Sequence, residues 1–377
     1  MNPLDAPPEF LDVPPEEQDD FYSDDDLFKI QSWGADLSFR ELISRYDEDE
    51  LVKPELQRYY VWDKSEASRF IDSILLGLPV PSIFLAKTKN EKLLIIDGYQ
   101  RLMTVRDYVK GIFSKDGRVF KLSRTEKVHS RWRGKAFAEL EEEEQRRIRN
   151  TTIHAIIFMQ RSPSVGDTSL FQVFERINSS GRTLLPQEIR NCVYQGPFNS
   201  LLLKLNENES WRRLFGKELI DDRMRDVEYI LRFFALSSDQ ILFDDDPPSR
   251  ISLKKYLNQF MDLFNDQEYM ASFESKFTNA ISKAEEAFGE SAFHNISQTD
   301  PNHLVERFSP TLFDSVLVAF YLAERDGKPG IGADSAKSRK QEILRGEEFQ
   351  RLLSQETMRV PNIRDRIFRM YNALFSE

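Results

Sequence analysis

Five consecutive residues, Asp97-Gly98-Tyr99-Gln100-Arg101, carry the densest chemistry in the chain. They stand where the apolar run Leu93–Ile96 hands over to a helical pattern. A helix that begins at such a junction presents unpaired N–H groups and partial positive charge. Arg101 adds a planar guanidinium fork suited to phosphate oxygens. Gly98 lets an anion approach the backbone closely, and Asp97 and Gln100 are placed to orient a metal-bound or attacking water. The combination suits the phosphates of a nucleoside triphosphate or of DNA. It lacks the lysine and the spacing of a Walker loop. The same residues also read as structure alone. Asp97 can be an N-cap, with Gln100 three residues on completing a capping box. Gly98 can relieve a tight turn, and Arg101 can be solvated or salt-bridged. Local chemistry leaves both readings open.

Other positions offer similar pairs of readings. Arg58, beside Tyr59 and Tyr60, is either a phosphate clamp or a guanidinium stacked on rings. Arg176 and Asn178, with Glu175, close an amphipathic helical pattern and could contact a ribose or phosphate; Asn178 is equally suited to a C-cap. The following loop, 178–183, is either a backbone anion nest or an ordinary polar connection. Arg131, Trp132 and Arg133, next to His129, form the best basic–aromatic patch for DNA. Three aspartates at 244–246 precede two prolines and read as a solvated loop rather than a metal site. Glu188, Arg190 and Asn191 form the polar set of the helix after the 178–183 loop and suit a salt bridge that fixes it to the helix before that loop.

The elements that must position these groups can be traced. Residues 37–51 read as a short helix with Leu37, Leu42 and Ile43 on one face. Asp63 caps a helix that carries Phe70, Ile71, Ile74 and Leu75 at helical spacing, and Gly77 and Pro79 end it. Residues 81–87 and 92–98 are strands joined by a short loop. A small hairpin is expected around Asp116-Gly117. Residues 138–150 form a helix with acids first and bases last, and 152–160 a strand. Pro186 suits the first turn of another helix. From about residue 196 strand signals fade and helical patterns dominate. The expected class is α+β followed by a mostly α-helical half, divided as an acidic disordered tail (1–30), an α+β domain (31–195) and a helical domain (196–377).

Composition narrows the classes. The 377 residues suit two domains. The 40% apolar content, with 29 Phe, can build real cores. No eighteen-residue apolar run is present, so no membrane span or membrane partner is expected. The acidic, Pro-rich start is unlike a signal peptide. Cys192 alone excludes an internal disulfide and a cysteine-built zinc site. A cytoplasmic protein is expected. The net charge of −11 is concentrated: residues 1–26 hold ten Asp or Glu and no Lys or Arg, which leaves the rest one unit from neutral. The tail reads as a solubilising arm or as a negative mimic that covers a basic groove.

Several stretches together carry a resemblance. They are Pro54, Gln57-Arg58, Tyr60 and Trp62; Asp72 to Pro81; Asp97 to Arg101; Phe174-Glu175-Arg176-Ile177-Asn178; and Leu185 to Asn191. In this order they resemble the N-terminal domain of GmrSD-type modification-dependent restriction enzymes, over roughly residues 36–265. Tyr99 stands where that family usually has Gln, and a tyrosine there could stack on a base. The resemblance implies a ParB/sulfiredoxin-like α+β fold with a small mixed sheet, whose signature loop binds nucleotide phosphates. It implies an NTP with Mg²⁺ as cofactors, Asp97, Gln100 and Arg101 as catalytic residues, and Gln57, Arg58, Gly98, Tyr99, Arg176 and Asn178 as nucleotide contacts. Modified or phage DNA is the implied partner. Many relatives carry an HNH-type nuclease domain. His129, His154, His294 and His303 form no such constellation, so either a separate nuclease subunit is a partner or the protein acts without one. The implied activity is NTP hydrolysis in antiphage defence. Direct DNA cleavage in the same pocket and a non-catalytic nucleotide-gated sensor are the alternatives.

Overall fold

The computed structural model describes residues 11, 12, 14, 29–53, 62–88, 91–162, 171–173, 175, 185–217, 219–221, 223–264, 267–297 and 300–376. The chain divides into two compact units. One comprises Leu27–Arg182 with Asn191–Val193; the other comprises Met1–Asp26, Thr183–Arg190 and Tyr194–Glu377. The expected α+β region with a small mixed sheet, followed by a largely helical region, is what is observed.

The α+β unit runs β1 (Lys29–Ser38), α1 (Phe39–Asp47), β2 (Leu51–Val52), α2 (Lys64–Leu75), β3 (Ile83–Lys87), β4 (Leu93–Asp97), α3 (Tyr99–Lys110), β5 (Ile112–Phe113), β6 (Arg118–Val119), α4 (Glu142–Asn150) and β7 (Thr152–Ser162). The main sheet has the order β1-β7-β3-β4-β2. Pairs β1–β7 and β3–β4 are antiparallel; β3–β7 and β2–β4 are parallel. Alternation along the strands sets one face against the helices. Ile83, Leu85, Leu93, Ile95, Ile153 and Ile157 join Phe39, Leu42, Ile71, Val105 and Tyr108 in one buried cluster. Each such aliphatic side chain contributes about 1.5–3 kcal/mol by leaving water.

Local signals explain most boundaries. Asp63 caps α2 by accepting from Ser65 N and Glu66 N, and Glu66 returns the bond to Asp63 N. Gly77 follows α2 at φ 75°, a conformation that Gly adopts without strain. The first turn of α4 is acidic and its last turn basic, as its dipole favours. The expected helix over 37–51 starts later, at Phe39. Leu37 belongs instead to β1, whose last residue, Ser38, caps α1 by accepting from Glu41 N at 3.2 Å.

The helical unit contains α5 (Pro186–Val193), within which the chain passes between units, then α6 (Pro197–Asn206), α7 (Glu209–Phe215), α8 (Arg225–Leu236), α9 (Asp239–Leu242), α10 (Leu253–Leu263) and α11 (Met270–Phe288). A hairpin, β8 (His294–Ile296) and β9 (Leu304–Phe308), interrupts the helices. They resume as α12 (Pro310–Arg325), α13 (Ala333–Leu344), α14 (Glu347–Ser354) and α15 (Val360–Phe375). Helix α12 is buried on nearly every side, with Leu312, Val316, Leu317 and Val318 wholly buried. The many phenylalanines have a local purpose. The Phe308 ring lies 4.8–6.0 Å from those of Tyr229, Phe215, Phe313, Phe293 and Trp211. Asp314 on α12 accepts from Arg232 Nε at 2.7 Å and from Arg366 Nη2 at 3.1 Å, all three groups being sealed from water.

Candidate functional site

Strand β4 ends at Asp97 and α3 begins at Tyr99, with Gly98 between them at φ 104°. A Cβ on Gly98 would fall 2.2 Å from Ile83 Cγ2. Glycine is therefore required twice, by its left-handed backbone and by the Ile83 side chain. The space it yields is filled by Ile83 and is not left to an approaching anion. The capping-box expectation is corrected. Gly98, not Asp97, is the N-cap, and it has no side chain with which to satisfy the first-turn N–H groups.

Asp97 turns instead to Arg101, one helical turn on, and the two form a charge-assisted hydrogen bond. The Asp97 side chain is 46% exposed and that of Arg101 14% exposed, so the carboxylate faces solvent with the guanidinium behind it. Gln100 Oε1 accepts from Trp62 N at 3.3 Å. This bond fastens the residue after segment 54–61 to the start of α3. The junction thus gathers Asp97, Gly98, Gln100 and Arg101 within one turn. Gln57 and Arg58, with Tyr59 and Tyr60, lie outside the described residues, as do Arg176, Asn178 and the 178–183 loop.

Tyr99 corrects an expectation. It is 7% exposed and lies in the buried cluster between sheet and helices. Burial pushes its phenol well above the usual range, and a hydrogen bond to Tyr46 adds to this. The ring is a core residue and presents no face on which a base could stack.

Of the basic–aromatic patch, Arg131 and Arg133 are exposed but the aromatic member is not. Trp132 is 5% exposed, and its Nε1 donates to Asp72 Oδ1 at 2.6 Å. The same oxygen accepts from His129 N at 2.9 Å. Arg131 pairs with Glu141 at 3.0 Å and Glu144 at 2.7 Å. Arg133 donates to the carbonyls of Val128 and Glu126. The loop is pinned from inside by Asp72, a role that sequence reasoning missed. A buried aspartate on the apolar face of α2 needs partners, which was the available signal.

In the helical unit, Glu188 and Arg190 of the α5 polar set pair with groups later in the chain, while the helix before α5, to which a bridge was expected, lies mostly outside the described residues. Arg190, 1% exposed, donates to Asn258 Oδ1 and Glu228 Oε2, each at 2.7 Å. Glu188 accepts from Arg223 Nε at 2.9 Å. These bonds tie α5 to α8 and α10.

Among the described residues, no three His, Cys, Asp or Glu side chains converge to hold a metal ion. Asp97 offers one half-exposed carboxylate. Mg²⁺ commonly takes one or two carboxylates together with substrate phosphates, so Asp97 fits as a single protein ligand. No helix of the described residues is long and apolar enough to cross a membrane.

No curated protein matches the chain. Residues 39–195, which include the junction, match the family described as GmrSD restriction endonuclease, N-terminal domain; β1 and the chain from residue 196 onward lie outside that match.

Proposed function

We propose that the α+β unit binds a nucleoside triphosphate at the β4–α3 junction and hydrolyses it, within a restriction system directed at foreign DNA. One observation carries this reading. In a region that matches a restriction-enzyme family, a solvent-facing carboxylate is backed by its own arginine at a helix start whose cap has no side chain. Guanidinium carries five N–H donors, so Arg101 can keep one edge on Asp97 and offer another to a phosphate oxygen. The first-turn N–H groups of α3 supply further positive potential. Asp97 would hold Mg²⁺ beside the triphosphate, where the ion supplies charge neutralisation during phosphoryl transfer. Gln100, fixed through Trp62, keeps the entrance to the junction in register.

The alternative of a non-catalytic sensor has two grounds, the missing nuclease constellation and Tyr99 as a lost nucleotide contact, and the second is weakened. The Tyr99 ring lies in the core, so this departure removes nothing from the solvent-facing side of the junction. The test is phosphate release by the purified chain with each NTP and Mg²⁺. Wild type should turn over and Asp97→Ala should not, while Arg101→Lys should raise KM. Equal release by wild type and Asp97→Ala sinks the assignment. Nicking of phage DNA without nucleotide would transfer the pocket to direct cleavage.

A further inference from the structure

A groove of about 1200 Å³ lies between the β8–β9 hairpin and α14, wholly within the helical unit. Its lining includes three exposed arginines: Arg307 on β9, Arg345 just before α14, and Arg351 on α14. Arg345 donates to Asn302 Oδ1 at 2.7 Å. Among the described residues no carboxylate pairs with Arg307 or Arg351. Two acids share the wall. Glu348 is held by Arg369 at 2.8 and 3.0 Å, and Glu347 stands beside it.

Residues Leu11 and Asp12 already sit beside this groove. Leu11 pairs with Phe308 as a parallel bridge, and Asp12 N donates to Phe308 O at 2.8 Å. Leu11 is only 6% exposed, and Asp12 and Pro14 join the groove lining. This single bridge is the type of main-chain contact by which a strand adds to the edge of β9. Its acceptor is fixed, because the Phe308 ring is the hub of the aromatic cluster. The sequence beyond Pro14 is acidic, with Glu16, Glu17, Asp19, Asp20, Asp24, Asp25 and Asp26 and no Lys or Arg.

We propose that this groove is a receptor for an acidic, extended polypeptide, and that the chain's own N-terminal segment, residues 11–26, is its resident occupant. Main-chain pairing with β9 sets the register, the Leu11 pocket supplies the apolar anchor, and the arginines select carboxylates. A nucleic acid fits less well. It has no peptide amide to donate to the Phe308 carbonyl in the register of a strand, and no side chain to fill the place of Leu11. An acidic peptide of a partner protein competes for the same seat. The inference does not draw on the nucleotide reading.

The test uses the full chain and a fluorescent peptide of residues 8–26. In the Leu11→Asp variant the resident segment loses its anchor. That variant should bind the peptide at least ten-fold more tightly than wild type, whose groove is filled. Adding Arg307→Glu and Arg351→Glu should weaken binding at least ten-fold, and 0.5 M salt should weaken it too. No binding to Leu11→Asp, or binding that the reversed charges leave unchanged, overturns the proposal. So does preferential binding of a single-stranded oligonucleotide. A second measurement leaves Leu11 intact. Hydrogen exchange at the Asp12 amide should be slow in wild type and at least ten-fold faster in the full chain with Arg307→Glu and Arg351→Glu, both exposed positions. Unchanged exchange there counts equally against it.

Discussion

Two arginine–carboxylate arrangements in this chain look alike in a contact list and differ in kind. At the β4–α3 junction, one arginine meets one aspartate that is nearly half exposed. In the helical unit, Asp314 meets Arg232 and Arg366, and none of the three side chains exceeds 2% exposure. Water screens the first pair, which contributes about 1 kcal/mol or less to stability. The second is sealed, so its members cannot be separated without stranding charge in the core. An exposed pair that adds little to stability is free to serve another purpose. A buried triad is committed to holding the helices α8, α12 and α15.

The contrast can be broken in order of size. Asp314→Asn should lower unfolding free energy by about 3–5 kcal/mol, because two buried guanidinium groups lose their carboxylate; urea denaturation measures this. Asp97→Ala should do the reverse. Stability should change by about 1 kcal/mol at most, while turnover of NTP should fall roughly 100–1000-fold, as when a preorganised charge is removed from an active site. Comparable stability losses in the two variants would erase the distinction.

A third test concerns another sealed charge, Lys340. Its Nζ donates to the carbonyls of Ser291 and Ala292 at 2.5 and 2.8 Å and lies over the Phe288 ring, with His294 nearby. Burial lowers its pKa from 10.5 to about 7. Between those values the unfolded chain binds the proton that the native chain has released. Stability should therefore rise with pH across that window, by up to about 1.4 kcal/mol per pH unit. Denaturation of Lys340→Met at pH 7 and pH 9 should show a flatter slope than wild type. The smallest effect belongs to Tyr99→Phe. It removes one buried hydrogen bond and should cost about 1 kcal/mol, with KM for nucleotide unchanged. A several-fold change in KM would return Tyr99 to the nucleotide site.

What could be read from the sequence followed the range of the signal. The α2 cap at Asp63, its stop at Gly77, the β3–β4 pairing and the charge order of α4 are all written within a few residues, and all appear in the fold. Strand β1 was missed. It is a sheet edge, and two of its apolar residues, Ile30 and Trp33, remain 42% and 38% exposed, so its alternation is weak. Only pairing with β7, more than a hundred residues away, makes it a strand. Hairpin β8–β9 is likewise short and surrounded by helices. At the candidate site, the order Asp-Gly-Tyr-Gln-Arg located the junction correctly. Which way an aromatic ring turns depends on distant partners. Asp72 draws Trp132 inward from sixty positions away, and Tyr46 meets Tyr99.

The bond between Gln100 and Trp62 acts as a leash. Trp62 follows Arg58 by four positions in the sequence, and a chain of that length spans at most about 14 Å. Cutting the leash with Gln100→Ala should raise KM for nucleotide without touching Asp97 or Arg101, which steady-state kinetics measures.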